Sequence, residues 1–222
     1  MKAMILAAGR GARMRELTDV TPKPLLQVHG KPLIEYHVEQ LKKAGIHEFV
    51  INTGWLGEKI EEALGNGKRW NARIQYSHEG WPALETGGGI FKALPLLGDE
   101  PFLVVNGDVF IECDWKNWTR RGLARGDLAH LVLVPNPPHN IKGDFGLVSS
   151  RIYDAGAQYT LSGIYILDPA IFEGCKPGSF KIPPLMRKAA ANGRATGELF
   201  NGFWSDVGTP ERLKLLEARF KK

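Results

Sequence analysis

The hydrophobic positions in the first two thirds of the chain form short apolar runs that alternate with longer amphipathic segments. Runs typical of buried strands cover residues 2–7, 48–53, 73–77, 102–106 and 128–134. Between them, apolar residues at helical spacing predict helices at residues 33–44, 58–64, 86–97 and 115–125. This order predicts an α/β fold, in which a mostly parallel sheet is flanked by helices and joined by right-handed crossovers.

The pattern changes after Pro135. Turn-forming residues fill 136–140, and residues 145–148 and 159–167 read as strands of a small antiparallel, substrate-facing extension. Two further helices are predicted, at residues 182–191 and 209–220. No linker rich in Gly, Pro and Ser interrupts the chain, so we expect one domain over residues 1–222.

Charge and composition narrow the classes of partner. The formal net charge is +5 and the basic residues are spread rather than gathered into one arm, so we expect no nucleic-acid partner. Phosphorylated small molecules suit this charge better. The apolar stretch at residues 4–8 is too short to span a bilayer or to form a signal peptide, which predicts a cytoplasmic protein with no membrane partner. Cys113 and Cys175 form no metal-binding motif.

A glycine-containing loop follows the first strand at residues 6–13, LAAGRGAR. Small residues let the backbone approach a ligand, and glycines allow successive N–H groups to face phosphate oxygens. The dinucleotide fingerprint is not met, because Met14 stands where it requires glycine, and no P-loop lysine follows. These residues alone are therefore also compatible with a simple tight turn.

Lys23 lies between Pro22 and Pro24, which restrict the backbone around it. A lysine with no role beyond solubility does not need that restriction. Together with Arg13, Lys23 could neutralise a triphosphate and the pyrophosphate that leaves it. The alternative is a surface loop that carries two ordinary cations.

Three segments read together resemble one family. LAAGRGAR, then TPKPLL at residues 21–26 and GKPLI at residues 30–34, are similar to the signature of the sugar-1-phosphate nucleotidyltransferases, and the likeness extends over the whole chain. The resemblance implies a Rossmann-like nucleotidyltransferase fold with a nucleotide-binding core at 1–135 and a sugar-binding, closing part at 136–222. It implies nucleotide contacts from Ala7, Ala8, Gly9, Gly11, Ala12, Arg13 and Lys23.

A second glycine-rich segment, EGWPALETGGG at residues 79–89, follows the third strand and opens a helix that Thr86 is placed to cap. Three glycines in a helix lower its stability, so we expect a ligand or another backbone to approach them closely. The resemblance implies base recognition near Ala83, with Thr86 and Gly87 alongside. A glycine-rich turn under a helix is the alternative, and neither glutamate of the segment receives a role.

Two aspartates are placed to hold a metal ion. Asp108 follows the strand that ends at Asn106, and a carboxylate at a strand end suits Mg²⁺. Asp206 precedes a helix with Thr209 as its expected cap and Pro210 in its first turn; helix capping is the alternative role for Asp206. The resemblance implies that Asp108 and Asp206 bind Mg²⁺ together and that Asn106 contacts the nucleotide.

The expected chemistry needs no general base, because a sugar phosphate is already an anion. The six histidines are scattered, and none is assigned a catalytic role. Arg13, Lys23 and Asp108 are the predicted catalytic residues, which overcome the repulsion between two anionic reactants.

The identity of the two substrates rests on resemblance. For the sugar, Gly146 matches a family glycine, and Asp144 and Gln158 are candidate partners of its hydroxyl or amide groups; Gln158 as an exposed strand-edge residue is the alternative. The short chain and the segment 85–89 are similar to family members that transfer uridylyl groups, which implies UTP and a sugar 1-phosphate. Guanylyl transfer to mannose 1-phosphate, and a non-catalytic nucleotide-sugar sensor, are the alternatives. The sequence carries no signal for the oligomeric state.

Overall fold

The computed structural model describes residues 1–154, 156 and 158–220. A nine-stranded mixed sheet forms the centre of the molecule, and two small two-stranded sheets lie beside it. The strands are β1 Ala3–Leu6, β2 Gln27–Val28, β3 Lys31–Pro32, β4 Glu48–Thr53, β5 Arg73–His78, β6 Phe102–Asn106, β7 Val109–Ile111, β8 Ala129–Pro135, β9 Gly146–Val148, β10 Arg151–Tyr153, β11 Tyr159–Leu167, β12 Ala195–Leu199 and β13 Trp204–Asp206.

Helices cover both faces of this sheet. The α-helices are α1 Leu17–Val20, α2 Leu33–Lys43, α3 Gly57–Leu64, α4 Glu85–Leu97, α5 Lys116–Thr119, α6 Pro183–Ala191 and α7 Pro210–Arg219. Short 3-10 helices lie at Ala12–Met14, Lys23–Leu25, Lys68–Trp70 and Pro169–Phe172. No helix in the described part of the chain combines the length and the apolar character needed to cross a membrane.

The strand order of the large sheet is β5-β4-β1-β6-β11-β8-β12-β10-β9. β5, β4, β1 and β6 are parallel, as the alternation of strands and helices predicts, and β12 is parallel to β8. β11 lies antiparallel between β6 and β8, and β10 and β9 extend the far edge antiparallel. Strands from both sides of Pro135 therefore share one sheet. Of the two strands predicted for the antiparallel extension, β9 lies at the far edge of this sheet, whereas β11 lies inside it between β6 and β8.

Alternating side chains supply one core on each face of the sheet. Along β1, Ile5 packs under α2 and α3, whereas Met4 packs under α4 on the opposite face. Along β6, Val105 lies on the same face as Ile5, and Val104 lies on the same face as Met4. A third apolar cluster holds α7 against the small sheets through Val28, Phe110, Val207 and Leu216. The buried, near-continuous apolar strands thus reflect a sheet covered on both faces.

Two local predictions are wrong. The helix expected over residues 115–125 ends as α5 at Thr119, because Gly122 and Gly126 adopt left-handed backbone conformations beyond it. Thr86 does not cap α4: its Oγ1 accepts a hydrogen bond from the amide of Ile182 at 3.0 Å, so it joins two distant segments instead. The predicted cap of α7 is confirmed, since Thr209 accepts from the amide of Arg212 and Pro210 follows it.

The glycines of α4 admit a neighbouring backbone. A Cβ on Gly88 would lie 2.2 Å from the carbonyl oxygen of Gly178, and one on Gly87 would lie 2.5 Å from the Phe180 ring. The amides of Gly87 and Gly88 both donate to the Phe180 carbonyl, at 2.8 and 3.0 Å. The expected close approach at Gly87 and Gly88 is therefore made by residues 178–181.

Gly88→Ala is expected to lower the free energy of unfolding by about 1–3 kcal/mol, because the added methyl group overlaps a backbone oxygen that cannot move away cheaply. Urea denaturation measures this change. Gly9→Ala is the matched control, since a Cβ at Gly9 meets no atom within 4 Å and its backbone is not left-handed. Equal stability of the two variants would contradict the packing argument.

Candidate active site

A cavity of about 580 Å³ lies at the carboxyl ends of β1, β4, β5 and β6. This is where open α/β sheets bind ligands. Most of the predicted nucleotide-binding and catalytic residues line it, namely Ala7, Ala8, Gly9, Gly11, Arg13, Lys23, Ala83, Thr86, Asn106 and Asp108. The fold therefore brings these separated segments together around one cavity, whose volume is that of a small-molecule site.

Lys23 and Asp108 form an ion pair on the wall of the cavity. The Lys23 side chain is 10% exposed and that of Asp108 is 29% exposed, so the lysine is the more buried partner. The stem of Lys23 packs against Gly11, which has φ +66° and where a Cβ would stand 3.0 Å from Lys23 Cδ. Gly11 thus has two reasons to be glycine, its left-handed backbone and this contact.

Asp206 ends β13, and Asp108 lies in the turn just before β7, the strand that pairs with β13. Asp206 pairs with Val109 across β13 and β7, and the amide of Val207 donates to the carbonyl of Asp108 at 2.7 Å. Burial raises the pKa of the Asp206 carboxyl above its ordinary value, and the negative charge of Asp108 adds to that rise. The two predicted metal ligands are therefore close enough to repel each other, although Asp206 lies outside the cavity lining.

Arg212 and His139 both contact the Asp206 carboxylate. Arg212 Nη1 lies 3.1 Å from this carboxylate and His139 Nε2 lies 3.0 Å from it, and both oppose the rise in the pKa of Asp206. Arg212 Nη2 and Arg13 Nη2 also converge on Gly208, where a Cβ would stand 2.0 and 3.3 Å from them. Basic side chains from three segments thus lie around Asp206 and Gly208, and sequence reasoning assigned a role to Arg13 alone among them.

The oxygen atoms at this place fit a magnesium ion. Besides the two carboxylates, Asn106 Oδ1 is buried and has no hydrogen-bond partner among the described residues. The described residues contain no cluster of three or more His, Cys, Asp or Glu side chains that could hold a metal. Two carboxylates with the remaining positions left to phosphate and water match the way Mg²⁺ is usually bound.

The opposite wall of the cavity carries residues that sequence reasoning missed. Trp81 is 57% exposed and packs edge-on against Trp55, with ring centroids 5.4 Å apart, while the Arg10 guanidinium lies 4.8 Å from the Trp55 ring centroid. Asn52 and Glu79 also line the cavity. Both stand where a predicted strand ends, which is the signal that drew attention to Asn106 and Asp108.

Several predicted contact residues lie outside this cavity. Ala12 is exposed at the start of a 3-10 helix, and the amide of Gly87 is occupied by Phe180. Among the three predicted sugar contacts, the Asp144 carboxylate accepts from the amide of Leu161 at 2.8 Å, so it holds β11. Gly146 lies on β9 and pairs with Tyr153 of β10, and Gln158 is exposed. Their sugar-binding roles stay predictions.

His37 lies behind Val109 and is the histidine whose protonation the fold opposes. It is buried, and its Nε2 has no hydrogen-bond partner in the part of the chain that the structure describes. Burial lowers the pKa of His37 from 6.5 to about 4, against the opposing effects of the Val109 backbone and the charge of Asp108. Between these two pH values, His37 is therefore neutral in the folded protein and protonated in the unfolded chain.

This preference makes stability fall as the pH drops from about 6.5 towards 4. Between pH 7 and pH 5, His37 is expected to remove about 2 kcal/mol from the free energy of unfolding. Over the same pH interval, the free energy of unfolding of His37→Gln should fall by that much less than the free energy of unfolding of the wild type. Urea denaturation at both pH values measures the difference. His47→Gln, at an exposed histidine, is the control and should keep the wild-type pH dependence. Identical pH dependence of His37→Gln and wild type would refute the assignment.

The sheet, the cavity at its carboxyl edge and the lysine–aspartate pair define a protein that handles phosphorylated nucleotides. Residues 2–220 match the Nucleotidyl transferase family, and the chain belongs to it. It is 51% identical to the N-acetylmuramate alpha-1-phosphate uridylyltransferase of Neisseria meningitidis serogroup B, over 98% of this chain and 97% of that one. It is 35% identical to the protein of the same name from Caulobacter vibrioides, over 98% and 96%.

A solved structure shows the same fold. The putative glucose-1-phosphate thymidylyltransferase of Bacillus anthracis superposes with a TM-score of 0.88, covering 99% of this chain and 94% of that one at 24% identity. The predicted nucleotidyltransferase fold is thereby confirmed, and the predicted family is confirmed by the match over nearly the whole chain.

Proposed function

We propose that the chain transfers the uridylyl group of UTP to N-acetylmuramate 1-phosphate, giving UDP-N-acetylmuramate and pyrophosphate. The observation that carries the proposal is the 51% identity, over nearly the whole of both chains, to a uridylyltransferase of that name. The cavity with its Lys23–Asp108 pair supports the same chemistry. The reaction would belong to the cytoplasmic recycling of cell-wall sugars.

The reaction joins two anions. An oxygen of the sugar 1-phosphate attacks the α-phosphorus of UTP, the bond from that phosphorus to its bridging oxygen breaks, and pyrophosphate leaves on the opposite side. The attacking oxygen carries no proton that must be removed first, so the lack of an assigned catalytic histidine is consistent with the chemistry. Charge repulsion between the reactants is the main barrier that the site must lower.

Lys23 and Arg13 supply fixed positive charge on the nucleotide side. Lys23 is held by its packing on Gly11, so its ammonium group does not have to be ordered when the substrate binds. The amides of the glycine loop add donors for phosphate oxygens. Together these groups stabilise the negative charge that moves onto the departing pyrophosphate.

Asp108 and Asp206 would hold Mg²⁺, and Oδ1 of Asn106, a residue that lines the same cavity as Asp108, is a further candidate oxygen. When bound, the ion would withdraw negative charge from the reacting phosphates. In the protein alone, Lys23 pairs with Asp108, and Arg212 and His139 both contact Asp206. These contacts hold the two carboxylates in place, and Mg²⁺ would compete with them for the carboxylate oxygens.

Pyrophosphate release with four nucleoside triphosphates and a panel of sugar 1-phosphates, with and without Mg²⁺, tests the proposal. Release that requires UTP, N-acetylmuramate 1-phosphate and Mg²⁺ is expected. Release with GTP and mannose 1-phosphate, but not with the proposed pair, would reassign both substrates. Tight binding of nucleotide sugars with no release from any pair would instead indicate a sensor.

A further inference from the structure

Glu79 joins two loops of the active site through both oxygens of its carboxylate. Oε1 accepts a hydrogen bond from Asn52 Nδ2 at 2.5 Å, and Oε2 accepts from the backbone amide of Leu84 at 2.6 Å. Glu79 directly follows β5, whereas Leu84 directly precedes α4. The carboxylate therefore fixes the path of the loop that contains Ala83, the residue expected near the base.

Asn52 continues the connection to the glycine loop. It is buried at the end of β4, and its Oδ1 accepts from the backbone amide of Ala7 at 2.8 Å. The orientation of the Asn52 amide follows from its neighbours, because the amide of Ala7 can only donate and an ionised carboxylate can only accept. One chain of hydrogen bonds thus runs from Ala7 through Asn52 and Glu79 to Leu84.

Helix α4 leaves room for this pair. A Cβ on Gly89 would stand 2.2 Å from Glu79 Oε1 and 2.9 Å from Asn52 Nδ2. Gly87 and Gly88 face residues 178–181, whereas Gly89 faces the side chains of Glu79 and Asn52. The third glycine is therefore explained by the carboxylate beside it.

We propose that Glu79 is a positioning residue that sets the spacing between the glycine loop and the loop around Ala83. The inference rests on the proposed function, in that these loops hold the phosphates and the base of one nucleotide. Both groups that meet Glu79 are donors, so the position needs two acceptor oxygens. Glutamine supplies only one and places an NH₂ group against a donor.

The proposal is tested by moving the carboxylate from position 79 to position 52 and the amide group from position 52 to position 79. Glu79→Gln opposes two donors, and Asn52→Asp opposes two carboxylates, so each single variant breaks the chain of hydrogen bonds. In the double variant the aspartate accepts from Ala7 and from the new glutamine, whose oxygen accepts from Leu84. The double variant restores every hydrogen bond and the net charge of the wild type.

Each single variant is expected to raise the KM for UTP at least tenfold and to change kcat less, because the loops are misplaced while the reacting groups are intact. The double variant is expected to return the KM to within about threefold of wild type, the residual commonly left by small adjustments in geometry. Glu58→Gln, at an exposed glutamate of α3, is the matched control and should keep the wild-type KM.

Two outcomes would overturn the positioning role. If the double variant recovers the melting temperature but not the KM, the Glu79 carboxylate acts on the ligand itself. If the single variants lower the melting temperature and keep the wild-type KM, the network is only structural. The ratio of variant to wild type is measured with whichever triphosphate the wild type uses, so a wild type that does not use UTP counts against the proposed function alone.

Discussion

Replacing Asp108 with asparagine is expected to lower the turnover number by about two to four orders of magnitude, the size of effect that follows loss of a main electrostatic contact in a site. Asparagine keeps the shape of the side chain at the end of β6 but removes its negative charge. Lys23 then loses its partner, and the proposed magnesium site keeps one carboxylate instead of two. Steady-state pyrophosphate release at saturating substrate and Mg²⁺ measures the change.

Two control experiments test whether the effect of Asp108→Asn is specific. Asp99→Asn, at an exposed aspartate beyond α4, should turn over at the wild-type rate. A higher Mg²⁺ concentration should recover part of the activity of Asp108→Asn if the lost group binds the ion. Turnover of Asp108→Asn within threefold of wild type, with the fold intact by circular dichroism, would remove Asp108 from the machinery.

The part of the site that the sequence predicted lies at the ends of buried strands. Short apolar runs locate β1, β4, β5 and β6, and parallel strands place their carboxyl ends at one edge, so residues such as Asn106 and Asp108 were expected to meet the glycine loop. The partner of Lys23 was not predictable in this way. Lys23 and Asp108 are 85 positions apart, and the lysine stem that reaches the aspartate packs against Gly11 of a third segment.

The parts that the sequence did not predict are short or depend on distant contacts. β10 and β13 have three residues each, too few for a periodic pattern to stand out. β12 has the sequence ATGEL, whose small and polar residues hide a strand that is paired on both sides. The surroundings of Asp206 also depend on His139, which lies on a loop 67 positions earlier in the chain.

The glycine run of α4 illustrates a limit of a different kind. Three adjacent glycines indicate close approach but not what approaches. The structure gives two answers within one turn of helix: residues 178–181 at Gly87 and Gly88, and the Glu79–Asn52 pair at Gly89. Glu79 lies at a strand end, as Asn106 and Asp108 do with respect to β6, and that position is a signal that glycine content alone does not give.

Replacing Lys23 with methionine is the second large effect expected, a loss of about two to four orders of magnitude in turnover. Methionine keeps an unbranched stem against Gly11, so the substitution removes the charge with little change in packing. The leaving pyrophosphate then gains negative charge with no fixed ammonium beside it. Because that charge develops during the reaction, kcat should fall more than the KM for UTP rises.

The same variant separates two roles of Lys23. In the protein alone its ammonium group occupies Asp108, so Mg²⁺ must compete with it for the carboxylate. Lys23→Met should therefore need less Mg²⁺ for half-maximal activity even as its maximal rate drops. Lys31→Met, which breaks a surface ion pair with Glu39, is the control for loss of a lysine charge and should change neither quantity. A Lys23→Met variant with wild-type turnover and an unchanged requirement for Mg²⁺ would show that the pair with Asp108 serves the fold rather than the reaction.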